Sequence, residues 1–221
     1  MSAAEPNAGG APQRPSMRTL QKERTRRLLR DAAVQLFAAK GYSATTIDDI
    51  TTAVGASRAT FYLHYDSKAR IVSEVYEEII MPETMDFYQN LDALDHSSEK
   101  ELRGWLDDAI GFFERHHDVL MFAEEAYSVE PSLEELSPPR LLDRCAEAMP
   151  RYLARHQGRE RQQAQLRLEL LILQISLFTR LWVGGRWPVK RDLMLDVLLD
   201  LWRHGLRADR PAAAAAPLPT T

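Results

Sequence analysis

At positions 57–60 the chain reads Ser-Arg-Ala-Thr: one guanidinium and two hydroxyls set around a methyl-sized side chain. The chemistry open to such a run is recognition, with no bond made or broken. A guanidinium can donate two parallel hydrogen bonds to guanine O6 and N7. Thr60 offers a hydroxyl for a base or phosphate and a methyl for thymine, and Ala59 permits close approach. These groups reach base edges only from the first turn of a helix presented to a groove, so the neighbouring elements decide whether that chemistry is available.

The surrounding pattern supplies those elements. Residues 46–54 read TIDDITTAV and place Ile47, Ile50 and Val54 on one helical face. Gly55 then stops the helix, since it takes positive φ without a Cβ clash. Ser57 offers an N-cap oxygen to a second short helix over residues 58–64. Helix, tight turn and capped helix make a helix-turn-helix at residues 46–65, a unit whose second helix enters the major groove of double-stranded DNA. Thr46 opens the first helix, so its hydroxyl and N–H are expected to face phosphate. Phe61 and Tyr65 are expected in the core.

With these residues in place, the segment resembles the DNA-binding domain of TetR-type transcriptional repressors. That pattern runs F-x-x-x-G-[YF]-x-x-[TS]-[TS]-[VI]-x-x-I-A-x-x-[AV]-G-[VA]-S-x-[GA]-x-[FL]-Y-x-[HY]-F-x-[SN]-K. Phe37, Gly41, Tyr42, Thr45, Thr46, Ile47, Ile50, Val54, Gly55, Ser57, Phe61, Tyr62, His64, Ser67 and Lys68 occupy matching positions. Thr51, Ala59 and Tyr65 stand where Ala, Gly and Phe are commoner, changes that bear on operator preference rather than on fold. The resemblance implies that Ser57, Arg58, Ala59 and Thr60 face bases and that Tyr62, His64 and Lys68 meet phosphate. It also implies a long fourth helix leading to an effector-binding domain, and a homodimer whose last two helices pair with their symmetry mates. Such a dimer reads a palindromic operator and is released by a small-molecule effector.

Composition agrees. The chain has 221 residues, enough for one large or two modest domains with a real core. Apolar residues recur at three- and four-residue spacing and strand signals are scarce, so the expected class is all-α. Residues 1–70 carry 11 Lys/Arg against 6 Asp/Glu, whereas the rest carries 17 against 26. One end is attracted to phosphate and the other repelled, although the overall pI is near 5.9. The single Cys145 excludes an internal disulfide and suits a reducing cytoplasm. The polar start lacks the apolar core of a signal peptide. The longest apolar stretch, residues 166–183, is interrupted by Arg167, Glu169, Gln174 and Arg180, which argues against a membrane span.

Domains follow from punctuation. Residues 1–16 read as a disordered arm, unless Arg14 and Arg18 track a groove, and residues 209–221 as a disordered tail. Residues 17–82 form the DNA-binding domain. Its first helix, 17–40, buries Leu28, Leu29, Ala32, Ala33, Leu36 and Phe37. Its fourth, capped by Ser67, turns Ile71, Val75, Tyr76 and Ile79 inward and ends or kinks at Pro82. Residues 83–208 form a helical ligand-binding and dimerisation domain. It comprises a helix opened by Ser98, a short one capped by Asp118, a loop at 129–139, a helix from 139 to 156 kinked at Pro150, and helices at 160–183 and 191–206. The last two are apolar nearly all round and must bury two faces each. Leu170, Leu177, Leu195, Leu198 and Trp202 are the expected dimer contacts, with a large monomer core as the alternative.

For a ligand, Trp105, Phe112, Phe113, Met121, Phe122, Tyr127, Phe178 and Trp182 supply an aromatic lining, or else plain core. His116, His117, Gln174, Thr179 and Arg180 are the polar groups that could orient a guest. His116 and His117 project about 100° apart on a helix and cannot chelate as an i, i+4 pair would, so neither metal nor cofactor is expected. No nucleophile elbow, phosphate-binding glycine loop, H-E-x-x-H or C-x-x-C is present, and Cys145 has no evident base beside it. The expectation is a DNA-binding regulator rather than an enzyme. The alternative is a ligand-independent architectural or corepressor-recruiting DNA protein without an effector cavity.

Overall fold

The computed structural model describes residues 16–96 and 98–206, so the expectations for the arm before Ser16 and for the tail lie outside it. Among the described residues the chain is helical throughout, with no strand. Four helices build the N-terminal part: α1 (Met17–Lys40), α2 (Ile47–Ala53), α3 (Arg58–Tyr62) and α4 (Lys68–Val75). A π-helical turn, Tyr76–Ile80, carries α4 without a break into α5 (Met81–Ala93). Beyond lie α6 (Glu99–Val129), a 3₁₀ turn (Pro131–Leu136), α7 (Pro138–Glu147), α8 (Pro150–Ala154), α9 (Gly158–Val183) and α10 (Arg191–Leu206).

Three elements depart from the periodicity reading. Pro82 does not end the fourth helix. The π turn just before it widens the ladder, which accommodates a residue that lacks an N–H and whose ring would crowd the carbonyl four residues back. The extra residue in that turn also shifts the inward face by one: Ile80 is buried and Ile79 is 43% exposed. No new helix starts at Asp118, because α6 runs unbroken for 31 residues. The helix expected at 139–156 is two, α7 and α8. Asp92 of α5 caps the second, accepting from the N–H groups of Arg151 (2.9 Å) and Tyr152 (2.7 Å).

Two cores result. One joins α5 to α10, with Trp105 and Trp202 rings 4.8 Å apart near its centre. The other gathers Leu29, Ala33 and Phe37 of α1, Ile50, Phe61 and Tyr65, and Ile71 and Val75 of α4. It is closed by Phe112, Phe122 and Ala126 of α6, so the helical bundle beyond residue 82 completes the core of the N-terminal domain.

The recognition helix is positioned by one buried carboxylate. Glu74 of α4 is 8% exposed, accepts from the Tyr65 hydroxyl at 3.0 Å, and pairs with an Arg26 Nη of α1. The other Arg26 Nη donates to the His64 carbonyl at 2.5 Å, and its guanidinium lies 4.2 Å over the Tyr65 ring. Burial, reinforced by Glu74, pushes the Tyr65 phenol pKa above the ordinary tyrosine range, so the group stays a hydrogen-bond donor. Three elements thus share one charged knot directly beneath the end of α3.

The last two helices require a correction. Leu195, Leu198 and Trp202, expected at a dimer contact, are buried within the protomer (5%, 2% and 0% exposed). Trp202 packs against Trp105 of α6 and Leu195 and Leu198 join the same core, while Asp196 pairs with Arg103 and Arg203 with Glu99 at its exposed edge. Leu170 and Leu177 of α9 are exposed instead, alongside Leu166 and Leu173, as are Leu193, Val197 and Leu201 of α10. Both helices therefore leave one apolar stripe uncovered.

Two stability effects are expected. Leu198→Ala should cost about 2–5 kcal/mol by leaving a core cavity. Glu74→Gln, which keeps the shape but removes the charge partner of Arg26, should cost about 1–3 kcal/mol. Urea midpoints at fixed protein concentration check both, and a surface-sized change at either position would contradict the packing described.

Candidate nucleic-acid interface and cavity

The turn that feeds the helix-turn-helix is held from two sides. Gly41 has φ +88°, and a Cβ there would stand 3.0 Å from the Glu125 carboxylate of α6. That close approach lets Glu125 accept from the N–H groups of Tyr42 (2.8 Å) and Ser43 (2.9 Å). Ser43's donors, foremost, hold the Glu125 pKa below the usual carboxylate range. The Tyr42 hydroxyl donates to Glu130 at 2.7 Å. From the opposite side, Lys68 Nζ donates to the carbonyls of Tyr42 (2.7 Å) and Thr45 (3.0 Å) and lies 4.0 Å over the Tyr42 ring. Lys68, expected at phosphate, is thus the fastener of the turn: its ammonium points inward to these two carbonyls, and the Tyr42 one also accepts from the Thr45 N–H at 3.2 Å.

Thr46 is likewise committed locally. Its N–H and hydroxyl both donate to Asp49 Oδ2 (2.8 and 2.7 Å), and its oxygen accepts from the Asp49 N–H, a closed capping box. Lys40 Nζ reaches the same carboxylate at 2.7 Å and, with Thr46, holds the Asp49 pKa well below its ordinary value. A phosphate approaching α2 would meet this carboxylate, so the expected Thr46 contact gives way to the cap.

On α3 the arrangement suits readout. The Ser57 oxygen accepts from the Thr60 N–H at 3.0 Å, and the two hydroxyls lie 2.9 Å apart, which leaves Arg58 and Ala59 on the open face of the first turn. Arg58 Nε donates to Asp48 Oδ1 at 2.5 Å, a partner from α2 that the sequence reading missed. Both side chains are more than 60% exposed, so the pair is weak and Arg58 can exchange Asp48 for a base. Tyr62 is 53% exposed at the far end of the helix. Burial, then the charges of Lys22 and Arg26, push the His64 pKa below the ordinary histidine value, so at neutral pH it offers one N–H donor and no charge. Phe61 and Tyr65 are core residues at 0% and 1% exposure.

A cavity of about 180 Å³ lies between α5, α6, α7 and α9. Phe112 and Tyr127 line it, as expected, together with Phe113. Trp105, Phe122, Phe178 and Trp182 do not. Trp105 stacks on Phe87 (4.1 Å) and donates to the Phe87 carbonyl; Phe122 crosses α6 to meet Phe37 (5.3 Å). Phe178 sits edge-on to Trp187 (5.2 Å), and Trp182 donates to the Val189 carbonyl at 2.7 Å. The lining that the sequence reading missed comes from the fourth and fifth helices and α7: Tyr76, Phe87, Tyr88 and Cys145. Burial raises the Tyr76 phenol to about 12 and the Cys145 thiol to about 12, so both stay neutral. Of the expected polar groups, only Arg180 reaches the cavity; His116 bonds Glu83 (2.6 Å) and Thr179 donates to the Ile175 carbonyl (2.5 Å). No helix among the described residues is long and apolar enough to cross a membrane.

Comparison with known proteins places this geometry. Residues 29–75 match the family described as bacterial regulatory proteins, tetR family. The biofilm operon icaADBC HTH-type negative transcriptional regulator IcaR of Staphylococcus epidermidis is 45% identical over 47 residues, 21% of this chain and 25% of that protein. IcaR of Staphylococcus aureus strain Newman is 46% identical over 44 residues, 20% and 24% of the two chains. The match therefore spans about a quarter of the length of these curated relatives. Beyond it the likeness is one of fold. A TetR-family regulator structure from Mesorhizobium loti superposes with a TM-score of 0.58 at 20% identity, covering 84% of this chain and 96% of the other. A bacterial regulatory protein in the tetR family from Rhodococcus RHA1 gives 0.51 at 16%, covering 82% and 96%. Residues 29–75 thus carry a helix-turn-helix domain of the kind described for the tetR family of bacterial regulatory proteins.

Proposed function

We propose that the protein is a homodimeric transcriptional repressor of the cytoplasm that binds a palindromic DNA operator and leaves it when a small molecule fills the cavity. One observation carries the reading. Glu125 of α6, with Glu130 just past its end, holds the turn that feeds the helix-turn-helix, while Glu124 and Tyr127 of α6 line the cavity. A guest that shifts this helix therefore shifts the DNA-reading unit, provided that it binds one conformation better than the other. The likeness to IcaR, a negative regulator by name, supports repression.

Dimerisation is supported by the uncovered stripes of α9 and α10, where Leu166, Leu170, Leu173 and Leu177 follow a four-three-four spacing and Leu193, Val197 and Leu201 recur every fourth residue. Paired about a twofold, two protomers bury these stripes and offer two recognition helices to major grooves about 34–36 Å apart.

Arg58→Ala removes a base contact and no core atom. Affinity for an operator selected from random-sequence DNA should fall about 5- to 150-fold, the equivalent of 1–3 kcal/mol, with an unchanged melting temperature. Filter binding at fixed salt checks this, and equal affinity would remove Arg58 from base reading. Val197→Glu places a carboxylate on the uncovered stripe, where burial and its symmetry mate both oppose pairing. Sedimentation should show a folded monomer at micromolar concentration with weakened operator binding. A dimer that persists would contradict this placement of the seam.

A further inference from the structure

Among the residues that line the cavity only Glu124 and Arg180 are charged, and they pair with each other. Their burial is unequal: the Arg180 side chain is 24% exposed and that of Glu124 52%. Arg180 Nε is fully buried and finds no hydrogen-bond partner among the described residues. A guanidinium has five donors, and Arg180 shares its charge with one half-exposed carboxylate, so it has hydrogen-bonding capacity to spare for a guest. Apart from Thr84, Cys145 and Ser176, the remaining lining is aromatic or aliphatic, with Phe112, Phe113, Tyr127 and Tyr76 among the rings.

We propose that the cavity takes an aromatic carboxylate, whose ring lies among these side chains and whose carboxylate replaces Glu124 on Arg180. The inference rests on the effector reading above and names the chemistry of its ligand. A carboxylate in Glu124's place can accept from Nη1 and Nη2 together, the two planar N–H donors at the end of the guanidinium, as a fork. The exchange keeps the charge balance. Glu124, half in solvent, rotates outward at little cost, whereas Arg180 stays where it is. A cationic guest would have the opposite effect, displacing Arg180 from Glu124 and leaving a largely buried charge unpaired. The size fits as well, since an apolar cavity of roughly 150 Å³ holds a benzene ring.

The test is calorimetric titration of the full-length protein with benzoate and with its neutral counterpart benzyl alcohol, using wild type, Arg180→Gln and Glu124→Gln. The expected result is tighter binding of the acid than of the alcohol by wild type. Arg180→Gln should lose at least tenfold for the acid and little for the alcohol, whose retained binding shows an intact cavity. Glu124→Gln, which weakens the competitor, should bind the acid at least as tightly as wild type. Should Arg180→Gln fail to fold, Arg180→Lys serves instead: it keeps the charge, loses the fork, and should lose affinity for the acid selectively. Binding of the alcohol equal to or tighter than the acid, or no effect at Arg180, overturns the carboxylate while leaving the cavity as an effector site. Failure of both probes to bind overturns this inference, and the effector reading is then tested separately by whether a metabolite panel releases the operator.

Discussion

The DNA-reading unit depends on a carboxylate that water hardly reaches. Helices of seven and five residues, such as α2 and α3, are not stable alone, because nucleation consumes more free energy than so few hydrogen bonds return. They persist here because Glu74 draws Arg26 and Tyr65 to one point and Arg26 in turn holds the carbonyl of His64. A charge at that depth is tolerable only with its partners in place, so α1, α3 and α4 are fixed together rather than separately. The outward aim of Arg58 follows from this arrangement and from the Ser57 cap.

The same economy of parts governs the link to the rest of the molecule. One helix of 31 residues closes the N-terminal core with Phe122 and Ala126, grips the turn at residues 41–45 with Glu125, assisted by Glu130 just past its end, and forms a wall of the cavity. Close-packed interiors do not yield gradually, so a shift of α6 is passed to the turn rather than absorbed. Charge is arranged in the same sense. Carboxylates of the acidic C-terminal part that lie nearest the DNA-reading end are spent on backbone N–H groups and on the Tyr42 hydroxyl, and Lys68 faces the same turn from the other side.

Much was legible in the order of residues because it rests on local physics. Helix α1 runs from Met17 to Lys40 and buries Leu29, Ala33 and Phe37 as expected, though Leu28 of the expected stripe is 49% exposed, and Ser57, Ser67 and Ser98 each accept the backbone hydrogen bond that their position before an apolar-periodic run foretold. Caps, glycine stops and three-four spacing act within one or two turns, so they survive any tertiary context. The all-α class, the helix-turn-helix and the family resemblance all lie at this level.

What tertiary structure alone decided are choices between surfaces that look equivalent along the chain. Helix α10 is apolar on nearly every side, and its packing against α6 and α9, with Trp202 against Trp105, takes Leu198 and Trp202 inward while Val197 and Leu201 stay uncovered. The π turn moves the inward register from Ile79 to Ile80, a one-residue shift that no period anticipates. Lys68 reads as a phosphate anchor until the carbonyls of Tyr42 and Thr45 are seen beside it, and four of the seven aromatics expected at the cavity turn to other partners. Burial and pairing are properties of the space between elements distant in the chain. A side chain's type states what it can do, and only the packed neighbours determine which of those possibilities is realised.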